Sequence, residues 1–486
     1  MPEADGGPKA IPERPPFALR ARLITPLSGG QTRHEADALV EVDAGGRISA
    51  VRPWSSGVGS RGPRAPEGGA AEARPVVDLR PFVVLPGLVD LHAHLPQLPN
   101  AGLGAGLDLL TWLERYIFPL ERGFDEEAAV RLAPAAFRAL ACAGTTTAVL
   151  YGAVFEPSLD VAFRAAEEHG IRAVIGKVMM DRLTYDETLR PADILELSLR
   201  QSADLCARWH DRDGGRLRYA FTPRFAVSCT AELLRESAAL ARSTGAYWQT
   251  HLSEDRGELA EVARLFPSAT DYLDVYDQAG GLGERSIFAH AIHLSDREIV
   301  RLAETGSRVA HCPASNLFLA SGAMPLAHYL EAGIRVGLGS DVAAGPELSI
   351  FGAMRSGAYT QSALRVASGG GPVLGPLDWL RMGTLEGARV LGLEDVIGSI
   401  EVGKEADLIA VDPRLTLPLP EIMDVATDWG ASAQAASDPA ASAQTSSDPA
   451  ASDPEALVSR LIFRTHPSMV RAAWVRGRRL AGPGDA

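Results

Sequence analysis

The stretch Val83-Val-Leu-Pro-Gly-Leu-Val-Asp-Leu-His-Ala-His94 decides how the rest of the chain is read. It is apolar on both faces and ends in two histidines one residue apart. Side chains at i and i+2 of a strand point the same way, so His92 and His94 present two imidazoles in one direction. A strand with no polar face belongs in a sheet covered on both sides, as in a parallel barrel, and such barrels build their chemistry at the carboxyl ends of the strands. The histidine pair stands where a metal site would be built.

Downstream, helical periodicity alternates with short apolar runs. Helices are predicted near 107–121, 126–142, 157–169, 192–209, 230–244, 256–265, 295–305 and 350–365, and strands at 145–151, 171–178, 217–224, 246–251, 287–291, 307–311 and 334–340. With the founding strand these make eight, so the expected fold is α/β, a (β/α)8 TIM barrel over 83–393. Strand-like runs return between Phe17 and Val51, at 396–412 and in the tail 459–480. Residues 1–82 and 394–486 are therefore expected to build one small β-sandwich domain from both termini. Residues 1–16 read as a disordered tail, about 54–74 as a surface loop, and the Ala-Ser-Ala-Gln and Ser-Asp-Pro repeats of about 427–455 as a disordered insert.

The 486 residues are 46% hydrophobic and 22% charged, with a net charge of −14. That balance suits a well-packed globular protein and lacks the basic surface that nucleic acid or an anionic membrane requires. Cys142, Cys206, Cys229 and Cys312 show no Cys-x-x-Cys spacing, so neither a disulfide framework nor a thiolate zinc site is expected. With no apolar signal core and no uninterrupted apolar run of about eighteen residues, the chain reads as cytoplasmic.

Five of the eleven histidines fall at predicted strand ends: His92 and His94 on the first, His251 on the fifth, His290 on the sixth and His311 on the seventh, while Asp341 ends the eighth. Three imidazoles and a carboxylate suit Zn²⁺ or a similar borderline cation with one position left for water. His92, His94, His251 and Asp341 are the expected ligands. Glu254, three residues after His251, can turn back over the metal as general base and then acid. His290 could hydrogen-bond the water or the oxyanion, or be a fifth ligand. His311 reads as a residue that supports other groups, and His34, His169, His210, His293, His328 and His466 read as surface residues. A two-metal site bridged by a carboxylated lysine is not expected, because the only lysines are Lys9, Lys177 and Lys404 and the fourth strand ends in Thr222-Pro-Arg-Phe225. The His-x-Glu and Pro-Cys-x-x-Cys strings of another zinc deaminase class are absent from the sequence.

The chain resembles the metal-dependent amidohydrolase superfamily in Pro86-Gly-Leu-Val-Asp-Leu-His-Ala-His94, in His251, His290 and Asp341, and in Gly398-Ser-Ile-Glu-Val-Gly-Lys-Glu-Ala-Asp-Leu408. Within it the chain is similar to the guanine deaminase family. The strings that carry this, in that family's order, are His94-Leu-Pro-Gln97, Trp112-Leu-Glu-Arg-Tyr-Ile-Phe-Pro-Leu-Glu121, Gly144-Thr-Thr-Thr147, Gly176-Lys-Val-Met-Met-Asp181, Thr222-Pro-Arg-Phe-Ala-Val-Ser-Cys229 and Ala310-His-Cys-Pro-Ala-Ser-Asn316.

The resemblance implies hydrolytic deamination of a small purine, guanine, to xanthine and ammonia, with one zinc ion per subunit (iron is the other candidate) and a homodimer. It further implies that His92, His94, His251 and Asp341 hold the metal while Gln97, Arg224 and Phe225 contact the substrate. An arginine and an amide can read O6 and N7, and Phe225 can pack on the ring. In the expected reaction an activated water attacks C2 and Glu254 carries its proton to N3. His290 steadies the tetrahedral intermediate, and Asp341 relays a proton to the departing ammonia.

Leu98 and the loop Asp341-Val-Ala-Ala-Gly-Pro-Glu347 depart from the family pattern. The alternative is thus a deaminase or chlorohydrolase acting on 8-oxoguanine, a pterin, a triazine or an adenosine-type ring. A non-catalytic scaffold would lack ligands, and none is missing.

Overall fold

The computed structural model describes residues 11–55, 75–184, 190–416 and 453–482. In chain order the strands are β1 (Phe17–Pro26), β2 (Thr32–Val42), β3 (Ile48–Pro53), β4 (Val76–Pro86), β5 (Leu88–His94), β6 (Thr145–Tyr151), β7 (Arg172–Gly176), β8 (Val178–Met179), β9 (Leu217–Pro223), β10 (Tyr247–Leu252), β11 (Ser286–His290), β12 (Arg308–His311), β13 (Arg335–Leu338), β14 (Leu408–Val411), β15 (Val470–Val475) and β16 (Arg478–Arg479).

The path β5-β6-β7-β9-β10-β11-β12-β13 is parallel throughout, with β8 extending it beside β9. Hydrogen bonds from the Asp341 amide to the His92 carbonyl (2.7 Å) and from the His94 amide to the Val342 carbonyl (2.9 Å) bring its two edges together. The structure is the eight-stranded (β/α)8 barrel that the alternating pattern predicts. Alternate strand residues, among them Val89, Leu91, Val149, Val174, Ala220 and Ile287, fill the interior as a packed plug. The candidate functional residues gather at the mouth, where the strands end. Among the described residues no helix is long and apolar enough to cross a membrane.

The terminal strands form a separate seven-stranded sheet in the order β16-β15-β14-β4-β1-β2-β3. The founding stretch is accordingly two strands and not one. It runs through β4 in the terminal sheet, turns at Gly87 and enters the barrel as β5. Both halves are buried on both faces, so hydropathy gives no sign of the break. Gly87 is required there, because a Cβ would stand 2.0 Å from Thr146 Oγ1. The sheet and the barrel are also joined by Arg172 at the start of β7, a buried guanidinium that donates to Asp407 (3.0 Å) and Glu405 (2.5 Å).

Two terminal expectations are corrected. Residues 11–16 are not a free tail: the Trp474 indole donates to the Pro12 carbonyl at 2.9 Å and the Arg479 amide to that of Glu13 at 2.9 Å. The tail 459–480 is not all strand either, since Pro454–Phe463 is a helix capped by Asp453. Its buried Leu457, Val458, Leu461 and Ile462 recur at helical spacing. The expected loop at 54–74 and insert at 427–455 lie almost wholly outside the described residues.

Candidate metal centre

The strand ends carry their histidines to one point at the barrel mouth. His92 Nε2 lies 3.1 Å from Asp341 Oδ1, His94 Nε2 lies 3.4 Å from the same oxygen, and His94 Nε2 and His251 Nε2 are 3.2 Å apart. A tetrahedron with Zn–N bonds of about 2.0–2.1 Å has edges of about 3.3 Å. These separations match it. His92 Nε2 is buried without a hydrogen bond. His251 must donate through Nδ1 to the Arg224 carbonyl at 2.6 Å, which leaves its Nε2 with a lone pair. Burial pushes His94 down to about 4 and His251 well below its ordinary value, so both imidazoles are neutral. Burial alone would raise Asp341, but the adjacent His92 and His94 hold it well below the usual carboxylate range. Neutral nitrogens and an ionised oxygen, some without other partners, are a donor set that fits a divalent cation.

Backbone strain gathers at the same place. Ser253, His290, Ala291 and Asp341 have φ of +49°, +68°, +50° and +48°, where non-glycine residues are uncommon. Asp341 lies three residues past the end of β13, so it follows the strand and is not part of it.

Glu254 is buried, and burial together with the charges of Asp341 and Glu258 pushes its carboxyl well above the ordinary range. One of its oxygens lies 3.5 Å from His290 Nε2 and the other has no hydrogen bond. His290 in turn stands 3.8 Å from Asp341 Oδ2, and its Nδ1 lies 2.9 Å from Asn316 Oδ1. Behind them Glu258 accepts from the Glu254 amide (2.8 Å) and from the Tyr272 hydroxyl (2.7 Å). Tyr276 donates to the His251 carbonyl at 2.8 Å. The backbone segments that carry Glu254 and His251 are thus each tied to a buried side chain.

The candidate metal donors open into a cleft lined by His94, Gln97, Trp112, Arg224, Phe225, His251, Glu254 and Asp341 together with Leu109, Leu113 and Ala344. Gln97, Arg224 and Phe225 are thus brought to the same cleft as the donors. Sequence reading missed Glu121, which is fully buried and accepts from both Gln97 Nε2 (2.7 Å) and Arg224 Nη1 (2.5 Å). It also missed Asn316, Glu258 and Tyr272. Glu121 and Asn316 lie inside quoted motif strings, and that placement was their only signal.

His311 is fully buried on β12, but neither ring nitrogen has a hydrogen bond and it is outside the converging donor groups. The supporting role expected of it finds no partner among the described residues. Of the six histidines read as surface residues, only His328 is exposed; the other five are half-buried. His169 and His293 lie within hydrogen-bonding distance of the Ala481 and Ser321 carbonyls.

A model of the amidohydrolase family matches residues 83–438. The chain belongs to the amidohydrolase family, whose metal-centred barrel is the architecture described above. Within that family, guanine deaminase of Escherichia coli (strain K12) is 39% identical over 349 residues, covering 71% of this chain and 76% of that one. Guanine deaminase from C. acetobutylicum, solved with guanine bound in its active site, superposes with a TM-score of 0.80 at 26% identity, covering 96% of this chain and 99% of that one. An adenosine deaminase from Xanthomonas campestris with bound zinc gives a TM-score of 0.75 at 27% identity, covering 96% and 93%.

Proposed function

We propose that this enzyme deaminates guanine hydrolytically to xanthine and ammonia, with one zinc ion held by His92, His94, His251 and Asp341. The observation that carries the reading is a single cleft lined at once by His94, His251 and Asp341, by Glu254 and by Gln97, Arg224 and Phe225, with His92 directly behind Asp341 at 3.1 Å. The guanine deaminases among its relatives support the same substrate. Zinc over iron, and a homodimer, belong to this reading and are checked by elemental analysis and sedimentation.

A divalent ion in this site supplies Lewis acidity that makes water a nucleophile at neutral pH. The chain's own groups do the rest. Phe225 and Trp112 flank the ring and Arg224 anchors its oxo group, which holds C2 beside the donor cluster. Glu254, with one oxygen free of hydrogen bonds, takes a proton from the attacking water and gives it to N3. His290, close to both Glu254 and Asp341, steadies the tetrahedral C2. Asp341 relays a proton to the departing amine, and ammonia leaves as the C2 carbonyl forms.

The experiment is ammonia release from guanine, 8-oxoguanine, adenine, cytosine, a pterin and a triazine, with metal-loaded and chelator-treated enzyme. Metal-dependent turnover of guanine with xanthine as product is expected. Turnover of another ring with none of guanine would overturn the substrate assignment.

A further inference from the structure

Glu121 sits in the helix Phe118–Arg122, with no solvent exposure, between the two side chains assigned to the substrate. One oxygen accepts from Gln97 Nε2 and the other from Arg224 Nη1. A carboxylate ion-paired with an arginine offers acceptors only. The Gln97 amide must therefore turn its NH₂ to Glu121, and its carbonyl is left for the cleft that both residues line. Arg224, by contrast, has only donors to give. This end of the cleft pairs one acceptor with one donor, where both side chains had been expected to donate to O6 and N7.

We propose that Glu121 is a positioning residue that fixes the Gln97 amide as an acceptor beside the Arg224 donor. The pair then selects a purine edge in which a ring N–H adjoins a C=O. That edge is a lactam, the 6-oxo form. A 6-aminopurine presents the reverse, a ring nitrogen that accepts beside an amino group that donates, and it meets a mismatch at both positions. Buried polar groups left unpaired in this way discriminate far more strongly than shape does. The inference deepens the guanine reading and rests on it for the identity of the ring.

The test is calorimetric binding of hypoxanthine and adenine to the metal-loaded enzyme, since the two differ at the 6-edge and neither carries a 2-amino group. Wild type is expected to prefer hypoxanthine by about tenfold or more. In Glu121→Gln the new amide can meet either face of Gln97, so the two affinities should converge. Glu121→Asp should keep the preference with weaker binding of both. An unchanged preference in Glu121→Gln, or none in wild type, would overturn the inference. A purely structural role would weaken both ligands alike and leave their ratio intact. Should Glu121→Gln fail to fold, Gln97→Leu removes the carbonyl itself, and a retained preference there is equally fatal. Failure of the guanine reading shows separately, as absent ammonia release from guanine by an enzyme whose binding ratio can still be measured.

Discussion

His251 donates through Nδ1 to the backbone carbonyl of Arg224, 2.6 Å away, and its own amide points to the same oxygen at 3.2 Å. Arg224 therefore touches the candidate metal donors through its main chain and lines the neighbouring cleft through its side chain. The hydrogen bond fixes the imidazole tautomer, and the guanidinium is fixed from the far side by Glu121. The two ends of the cleft are registered against each other by one residue.

That division can be separated by substitution. Arg224→Met removes the guanidinium and keeps the carbonyl. Metal content, measured by elemental analysis, is expected to stay at about one ion per chain. The value of kcat/KM for guanine should fall roughly 100-fold or more, the cost of breaking a buried charge pair. Loss of metal together with activity would show that the side chain also supports the ligand end.

Glu254→Gln keeps the side-chain shape and removes the proton carrier. Turnover is expected to fall by about 10² to 10⁴, the contribution of a positioned acid–base group, with metal content unchanged. A variant that kept most of its rate would transfer the proton role to His290 or Asp341.

Glu258 lends itself to a pH measurement. Burial pushes its carboxyl up to about 7, against about 4.3 for an exposed glutamate. An acid whose folded pKa is raised leaves the folded state binding more protons across that interval, so its contribution to stability declines as pH rises from about 4.3 to about 7. Glu258→Gln removes that decline. Relative to wild type, the variant's unfolding free energy should rise across the window by on the order of 3 kcal/mol. Urea denaturation at pH 5 and pH 8 measures the difference. Parallel profiles for the two proteins would mean that Glu258 stays charged inside the fold.

The barrel is legible in the sequence because each of its strands is a short run buried on both faces, set between helices with a clear 3.6-residue period. The candidate metal cluster is legible because His92, His94, His251 and Asp341 each stand at the end of such a run or just past it. Gly87 is not, since the buried apolar run passes unbroken from the end of β4 (residues 83–86) into the start of β5, and nothing in its hydropathy separates sheet from barrel. Glu121 is hidden for a different reason. A π-helical turn over Leu113–Ile117 interrupts the helical period ahead of it, so ordinary spacing does not predict that its carboxylate points inward. Asn316 and Tyr272 act through hydrogen bonds that only the folded loops create.

Arg172 tests how the terminal sheet is held to the barrel. It is buried beside Asp407 and Glu405, and Glu405 also accepts from Arg476 at 2.8 Å. Burial would raise Glu405, but the charge of Arg172 and the bonds from both arginines hold it below the ordinary range. Arg172→Met strands carboxylates in a dry interface and keeps the apolar bulk of the side chain. Unfolding should become easier by about 3–5 kcal/mol, the usual result of removing one partner from a buried ion pair. Because Arg172 lies at the start of β7, at the opposite end of the strand from the metal donors, kcat measured well below the unfolding transition should match wild type. A variant as stable as wild type would mean that Arg476 and Arg47, which also pairs with Glu405 at 3.5 Å, suffice to neutralise the carboxylates and that the sheet docks through its apolar face.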